Sequence, residues 1–265
     1  MHDTLPPLVE KALAGSRRPL EFYLRENSRL PGPRANLELA QDVGHVLSAA
    51  LPQRAAHVHA LLDDFLDTSQ RTINSNTSDE FIMLSGVIAL GACASTYPTW
   101  RQETFDTLDR CANSGFWRIR EGVTLAYQEL LSADAEVAIE RLLALAMRGS
   151  YLQQRAAIAS LAEPRLLYSP RILDAALAVQ RVVLERMHVV PTSERKREDF
   201  RVLRRTLGYT LSVVTAASPD AGFTVMRDCV LWDDDDIRWV LRENLRKKRL
   251  AKFTQDTESL LRLLA

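Results

Sequence analysis

The sequence predicts an all-α protein, an α-solenoid built from about six stacked helical hairpins. First, one phrase recurs, in which an Arg opens a helix whose apolar face ends in a small and a large residue, as in residues 119–127, 154–162 and 237–245. Such recurrence is typical of solenoids because a lone hairpin cannot bury its own apolar face. Second, the chain is 46% hydrophobic but only 7% aromatic, which indicates a core of aliphatic side chains. Third, only ten Gly occur among 265 residues and no long segment alternates apolar and polar residues, which argues against a sheet.

The position of the opening Arg in each copy of the phrase gives the spacing between repeats. Its aligned positions are Arg34, Met83, Arg120, Arg155, Arg204 and Arg238. The successive intervals are 49, 37, 35, 49 and 34 residues, so the shorter ones each fit one helical hairpin. The two longer intervals predict insertions around residues 69–79 and 190–199. We therefore expect one series of stacked hairpins forming a single domain over residues 1–265.

The first helix of each hairpin is predicted from its apolar periodicity and from the residues at its ends. Ser-Pro pairs at 169–170 and 218–219 each open a helix, because Ser caps the free amides and Pro suits the first turn. Ser-Asp-Glu at 78–80 opens another helix. The second helices carry the phrase, and Leu125 and Ile158 are expected in their buried faces. The predicted first helices are 20–27, 46–68, 99–113, 134–148, 170–187 and 219–231.

The phrase resembles the HEAT repeat, most clearly at residues 119–127 and 237–245. The resemblance covers most of the chain, although Met83 stands where the repeat has an Arg. It implies a right-handed α-α superhelix with a concave face lined by the second helices. In HEAT repeats the Arg and a preceding Asp form a ladder between neighbouring units, and Asp236 with Arg238 resembles that arrangement.

A weaker resemblance is to the bacterial DNA glycosylases of the alkylation-repair type, which share this architecture. Those enzymes use an aromatic ring and a carboxylate to hold a damaged nucleotide and to stabilise the positive charge that develops as the base leaves. Trp117 and Glu121 supply that pair at the start of one second helix. The ordinary structural interpretation is favoured, in which Trp117 caps the core between repeats and Glu121 complements the helix dipole.

The charges are balanced overall but unevenly distributed. Residues 1–132 hold 12 Lys and Arg against 16 Asp and Glu, and residues 133–265 hold 22 against 18. The basic side chains of the second half would form a phosphate-binding groove if they shared a face, although a charged outer surface of a terminal repeat is the favoured interpretation. The predicted phosphate contacts are Arg238, Arg242, Arg246, Lys247, Arg249, Arg201, Arg204 and Arg205.

Two further clusters are interpreted as structural, and no metal site is expected. Residues 233–236 are four consecutive Asp directly before a helix, where carboxylates cap free amides. His59 and Asp63 share a helix face, but His57 lies on another side, so three ligands do not converge.

Catalytic motifs are missing from the sequence. It contains no Gly-x-Ser-x-Gly elbow, phosphate loop, dinucleotide fingerprint or paired-Cys motif. Cys93, Cys111 and Cys229 are flanked by apolar helical sequence, which predicts reduced, buried thiols in a cytosol. The longest apolar stretches, such as residues 81–93, are shorter than a membrane span requires, and the N-terminus is unlike a secretory signal.

These observations predict a non-enzymatic cytoplasmic scaffold that binds a protein partner through its concave face, with no cofactor and no membrane contact. Two alternatives stay open. One is a nucleic-acid binder that uses the basic side chains on DNA phosphates. The other is a DNA glycosylase of the alkylation-repair type that relies on Trp117 and Glu121.

Overall fold

A computed structural model of the chain describes residues 4–67 and 73–264. The described residues form α-helices joined by short turns and contain no β-strand, which confirms the all-α prediction. The chain divides into two compact units, Met1–Ala133 and Asp134–Ala265. They are called unit 1 and unit 2 below.

Unit 1 contains six α-helices and a 3-10 turn at Pro98–Trp100 among its described residues. Helix α3 is bent at Arg54, whose backbone is not helical (φ −139°, ψ 33°) and which follows Pro52 inside the helix. The six helices are α1 (Leu5–Leu13), α2 (Arg18–Glu26), α3 (Leu37–Leu66), α4 (Ser78–Thr96), α5 (Arg101–Cys111) and α6 (Trp117–Ala133).

Helix α4 forms the centre of unit 1. Every residue from 80 to 94 is buried, and α4 contacts α2, α3, α5 and α6. Small residues bring the backbones together: a Cβ added to Gly91 would lie 2.5 Å from the Cα of Ala126 in α6, and one added to Gly122 would lie 2.8 Å from Cδ1 of Leu84. The close approach of α6 therefore depends on these glycines.

By length and composition, α4 also meets the criteria of a membrane-spanning helix. Its best 18-residue window has a mean hydropathy of 1.3, and 78% of that window is buried inside the fold. The apolar stretch 81–93, predicted to be shorter than a membrane span, is part of a helix that continues at both ends to 19 residues and is long enough to span. Burial on all sides is typical of the central helix of a packed domain.

Within its described residues, 134–264, unit 2 contains seven α-helices and a 3-10 turn at Lys248–Leu250. Adjacent helices pair as α7 with α8, α9 with α10 and α11 with α12. The second members contact one another in order, α8 with α10 and α10 with α12, and so do the first members, α7 with α9 and α9 with α11. The seven helices are α7 (Ala135–Arg148), α8 (Tyr151–Leu161), α9 (Pro170–His188), α10 (Glu198–Ala217), α11 (Pro219–Val230), α12 (Asp235–Leu245) and α13 (Thr254–Leu263).

Most predicted helix positions agree with the structure to within a few residues. Helices α9 and α11 begin with Pro at 170 and 219, as predicted, although neither preceding Ser forms a side-chain cap. The cap of α4 is Thr77 rather than Ser78, and its side chain accepts a hydrogen bond from the amide of Glu80. The predicted helix over 46–68 is the second part of the longer α3.

Three predictions along the chain are wrong or only partly described. Arg34 lies in a bend three residues before α3 and opens no helix; Pro31 and Pro33 both precede it and disfavour helical backbone at Leu30 and Gly32. Leu125 is only half-buried, whereas Ile158 is fully buried. Of the predicted insertion at 69–79, residues 69–72 lie outside the described part of the chain, and the insertion at 190–199 contains a turn before α10.

A buried amide joins α10 to α12. Asn244 is fully buried, and its Oδ1 accepts a hydrogen bond of 2.7 Å from the backbone N–H of Ser212. Its Nδ2 donates to the carbonyl oxygens of Leu207, at 2.8 Å, and Val240, at 2.7 Å. Asn244 thus fixes the register between the two helices, because each of its three polar positions meets a backbone group.

Candidate functional site

A cleft of about 460 Å³ lies in unit 1 between the segment that precedes α3 and the start of α6. It is lined by five charged and five apolar or aromatic residues, so it is more charged than a typical small-molecule pocket. Trp117 and Glu121, four residues apart on α6, both line it, so the structure brings the predicted pair together. The remaining lining residues are Arg29, Pro33, Arg34, Ala35, Leu37, Glu38, Leu84 and Arg118.

The cleft rests on a buried polar network centred on Arg118. Arg118 is 5% exposed, and its Nη1 donates to Oε2 of Glu80, which is fully buried, over 3.2 Å. Its Nη2 donates to the carbonyl oxygen of Gly32 at 2.7 Å and to Oδ1 of Asn76 at 3.1 Å. The network therefore ties α4, α6 and the segment before α3 into one fixed arrangement.

Asn76, two residues before α4, forms hydrogen bonds with Gly32, Glu80 and Arg118 and so links the members of this network. Its side-chain Oδ1 also accepts a hydrogen bond from the backbone N–H of Gly32 at 2.9 Å. The backbone N–H of Asn76 donates to Oε2 of Glu80 at 2.7 Å. Asn76 has a left-handed backbone (φ 64°), a conformation that Asn tolerates better than most residues. Two buried atoms, Oε1 of Glu80 and Nε of Arg118, have no hydrogen-bond partner among the described residues.

Trp117 stands over this network rather than in the core. The guanidinium carbon of Arg118 lies 4.5 Å from the centroid of the indole, and Trp117 is 50% exposed. The prediction that Trp117 caps a buried core is therefore wrong. Ile119 and Gly122 face inward on α6 and leave Trp117 on the opposite side, at the mouth of the cleft.

The charges around the cleft are mixed. Arg29 pairs with Glu38 over 3.4 Å at the surface. Arg34 is exposed and has no hydrogen-bond or ion-pair partner in residues 4–67 and 73–264. Three Arg and two Glu line the cleft, and Glu80 lies behind Arg118, so the formal charges of the site cancel.

In unit 2, the structure pairs most of the predicted phosphate-binding residues with acidic partners. Arg204 binds Asp236 at 2.7 Å and lies over the ring of Trp239. Arg205 binds Glu198. Arg238 pairs with Asp233 at 3.6 Å, and Arg246 and Lys247 both pair with Glu243. Arg242 instead donates a hydrogen bond to the carbonyl oxygen of Leu264.

The predicted basic stripe is interrupted. Helix α12 ends at Leu245, so Arg249 lies in the following 3-10 turn instead of on the same helix face. Arg249 and Arg201 are exposed, and no partner of either is found in the described chain. The positive charges of unit 2 are therefore largely neutralised locally.

The Asp run acts as predicted, as a helix cap. Oδ1 of Asp234 accepts from the amides of Asp236 and Ile237, at 2.9 and 3.1 Å. The Nη1 and Nη2 atoms of Arg195 donate to Oδ1 and Oδ2 of Asp234, at 2.9 and 2.8 Å. Burial opposes ionisation of Asp234, but the hydrogen bonds of Arg195 and Ile237 hold its pKa below the ordinary value.

His59 lies between two carboxylates rather than in a metal site. Its Nδ1 is 2.9 Å from Asp63 and its Nε2 is 3.2 Å from Glu103. Partial burial acts to lower the pKa of His59, but Glu103 and Asp63 together raise it above the ordinary value of 6.5. The described residues contain no group of three or more His, Cys, Asp or Glu placed to hold a metal ion.

The three cysteines are unpaired and protonated. Cys93 and Cys229 are buried and Cys111 is half-buried. Burial raises the pKa of Cys93 and Cys229 to about 12 and that of Cys111 to about 11. None of the three thiols is therefore activated as a nucleophile.

No protein-family model matches this sequence, and no curated protein is significantly similar to it.

Proposed function

We propose that the chain is a non-enzymatic HEAT-like α-solenoid whose helices form a right-handed superhelix of about six repeats. The ordered contacts of α8, α10 and α12 in unit 2 support this proposal. A second support is the ion pair between Arg204, at the repeat position of α10, and Asp236, at the start of α12. It has the form of the Asp-to-Arg ladder of HEAT repeats. The three free thiols, two buried and one half-buried, accord with a cytosolic location.

The function that we propose is the binding of a polypeptide segment in the cleft beside Trp117. The observation that carries it is a half-exposed indole held on a buried ion-pair network, inside a cleft whose formal charges cancel. Aromatic anchors of this kind supply much of the binding energy of protein interfaces. A Trp that is already fixed by Arg118 loses little further freedom when a partner binds, which favours affinity.

The charge pattern favours polypeptide over nucleic acid. A phosphate backbone carries one negative charge per nucleotide and needs a run of unpaired cations. Glu38 and Glu121 line the cleft, and most of the predicted phosphate contacts of unit 2 have acidic partners. A polypeptide presents apolar, acidic and basic groups together, so it matches a cleft with both signs of charge.

The test is selection of binders from a displayed library of random 12-residue peptides against the full chain. We expect enriched peptides that bind with micromolar affinity, and Trp117→Ala should weaken them at least about tenfold. Phe22→Ala is the matched control, since Phe22 is an exposed aromatic residue of unit 1 (66%) outside the cleft. Peptides that bind Trp117→Ala as tightly as the unchanged protein would refute the proposal.

A second candidate, a DNA glycosylase of the alkylation-repair type, is favoured by one observation: Trp117 and Glu121 line the same cleft. In that function the carboxylate of Glu121 would stabilise positive charge on the sugar as the base departs. Release of a methylated base from duplex DNA, lost in Glu121→Gln, would establish it. No release by the unchanged protein ends this alternative.

The nucleic-acid-binding alternative without catalysis has its own test. Affinity for duplex DNA should fall steeply with salt and drop in the double variant Arg242→Glu and Arg246→Glu. A weak affinity that responds little to salt or to these substitutions ends it.

A further inference from the structure

A second groove of unit 1 lies along the second part of α3. Its volume is about 350 Å³, within the range of about 300–1,000 Å³ that is usual for ligand sites. It shares His59, Asp63 and Trp100 with a smaller cavity of about 20 Å³, which Glu103 of α5 also lines. The two spaces together are called the His59 groove below. None of their lining residues lines the cleft beside Trp117.

The His59 groove has an anionic end that solvent reaches and an apolar side. The side chains of Asp63 and Glu103 are 66% and 64% exposed. Ala56 and Ala60 are exposed one turn apart on α3 and form a strip of small apolar side chains. The half-buried indole of Trp100 stands edge to face with His59, with 5.2 Å between the ring centroids.

A neutral His59 cannot serve both carboxylates of the groove. Its Nδ1 lies 2.9 Å from Asp63 and its Nε2 lies 3.2 Å from Glu103. A neutral imidazole carries one N–H, so one carboxylate then faces a lone pair of the ring, whereas a protonated imidazole donates to both. Among the described residues that line the groove, no further side chain carries a charge. Neutral His59 therefore leaves one carboxylate available to a cation.

The arrangement matches a cation on an apolar stem. Lys and Arg carry their charge at the end of an aliphatic chain, which can lie against apolar surface while the head meets a carboxylate. The face of an indole also attracts cations. Asp63 and Glu103 lie at opposite nitrogens of the imidazole, so they do not converge on a metal ion. Residues 1–132 hold 16 acidic and 12 basic residues, an excess of negative charge that also attracts a basic partner.

We infer that the His59 groove binds a basic side chain, Lys or Arg, of a polypeptide partner. The charged head takes the carboxylate to which neutral His59 does not donate, and the stem lies along Ala56, Ala60 and Trp100. The open groove leaves room for the backbone that carries such a side chain. This interaction goes beyond the proposed function, because it uses other residues than the cleft beside Trp117.

The proton of His59 and the basic side chain compete for the same carboxylates. Partial burial acts to lower the pKa of His59, but Glu103 and Asp63 raise it above 6.5. These two are the charged groups that face the imidazole from α5 and α3 among the described residues. Below this pKa the imidazolium occupies both carboxylates, and above it one is released. Affinity for the basic side chain should therefore rise as the pH rises through the pKa of His59.

The experiment follows the indole N–H resonance of Trp100 in the full chain, assigned by its loss in Trp100→Phe. The probes are acetyl-Ala-Lys-Ala amide, the same peptide with an Nε-acetylated Lys, and n-butylamine. At about pH 8.5 the Lys peptide should bind about fivefold or more tightly than the acetylated peptide, because one charge-assisted hydrogen bond contributes. It should also bind about fivefold or more tightly at about pH 8.5 than at about pH 5.5. Saturating Lys peptide should lower the pKa of His59, read from its imidazole C–H resonance.

Two variants and a control separate the contributions. The double variant Asp63→Asn and Glu103→Gln should abolish the advantage of the Lys peptide over the acetylated peptide. His59→Gln should keep that advantage but bind equally at the two pH values. Glu26→Gln is the matched control, since Glu26 is an exposed Glu of unit 1 outside the His59 groove, and it should change neither result.

Equal affinity for the Lys and acetylated peptides would overturn the inference, and so would an affinity that does not rise with pH. A rise that persists in His59→Gln contradicts the competition with the proton. If n-butylamine binds as tightly as the Lys peptide, the groove takes a free amine and the polypeptide partner is wrong. If no probe shifts the Trp100 resonance, the inference fails as well. The proposed function is decided separately, by whether library peptides depend on Trp117.

Discussion

Breaking the buried ion pair between Arg118 and Glu80 is expected to destabilise unit 1 by about 3–5 kcal/mol, because the remaining partner keeps an uncompensated charge in the interior. Arg118→Met removes the 3.2 Å ion pair together with the bonds to Gly32 and Asn76, and leaves Glu80, which is fully buried, with one amide donor. Glu80→Gln removes the charge but keeps an acceptor for Arg118, so its cost should lie at the lower end of this range.

The double variant separates electrostatic coupling from lost packing. Because it contains neither charge, its cost should be smaller than the sum of the two single costs by about 2 kcal/mol. The free energies of unfolding are measured by urea denaturation, followed by far-ultraviolet circular dichroism and Trp fluorescence at neutral pH. Additive costs, or single costs below about 1 kcal/mol, would refute the reasoning. Arg29→Met is the matched control, since its ion pair with Glu38 is exposed and should contribute less than about 1 kcal/mol.

Three other predictions concern single residues. Asn244→Ala should cost about 2–4 kcal/mol in the same denaturation assay, because it leaves backbone groups of α10 and α12 unpaired in the interior; a cost below about 1 kcal/mol would contradict it. Gly91→Ala should cost about 1–3 kcal/mol, since its Cβ would meet the backbone of Ala126 at 2.5 Å; unchanged stability would show that the helices are not in close contact. The pKa of His59 is raised in the fold, so its stabilising contribution is present below about pH 6.5 and is lost as the pH rises through the folded value. His59→Gln should therefore lower the melting temperature at about pH 5.5 but not at about pH 8.5, and an equal change at both would exclude this origin.

Helix positions are largely predictable from this sequence, because caps, prolines and apolar spacing act locally. The starts at Pro170 and Pro219 follow from residues adjacent in sequence. The repeat pattern aligns Arg34 with the phrase, but Pro31 and Pro33 before it disfavour helical backbone at Leu30 and Gly32, so the sequence contains a local signal against a helix start there. Leu125 shows a different limit, since the rotation of α6 is set by the close approach of Gly122 to α4.

The site is less predictable than the fold. Spacing on α6 places Trp117 and Glu121 on one side, but the opposite wall comes from residues 29–38, which precede Trp117 by 79 to 88 positions. The burial of Arg118 depends on Glu80 and Asn76, and the sequence offers only the weak signal of charges inside apolar segments. Asn244 carries a clearer signal, as a lone amide among Val240, Leu241 and Leu245 on an apolar helix face.

The burial of residues 80–94 of α4 has a consequence for synthesis on the ribosome. The segment Ser78–Thr96 is made before Trp117–Ala133, so the nascent chain carries an apolar helix with one flank uncovered until α6 has emerged. Such a surface promotes association with other chains at cellular concentrations. Fragments that end before α6 should therefore aggregate or be retained by chaperones, whereas chains that include it can bury the helix as they leave the exit tunnel.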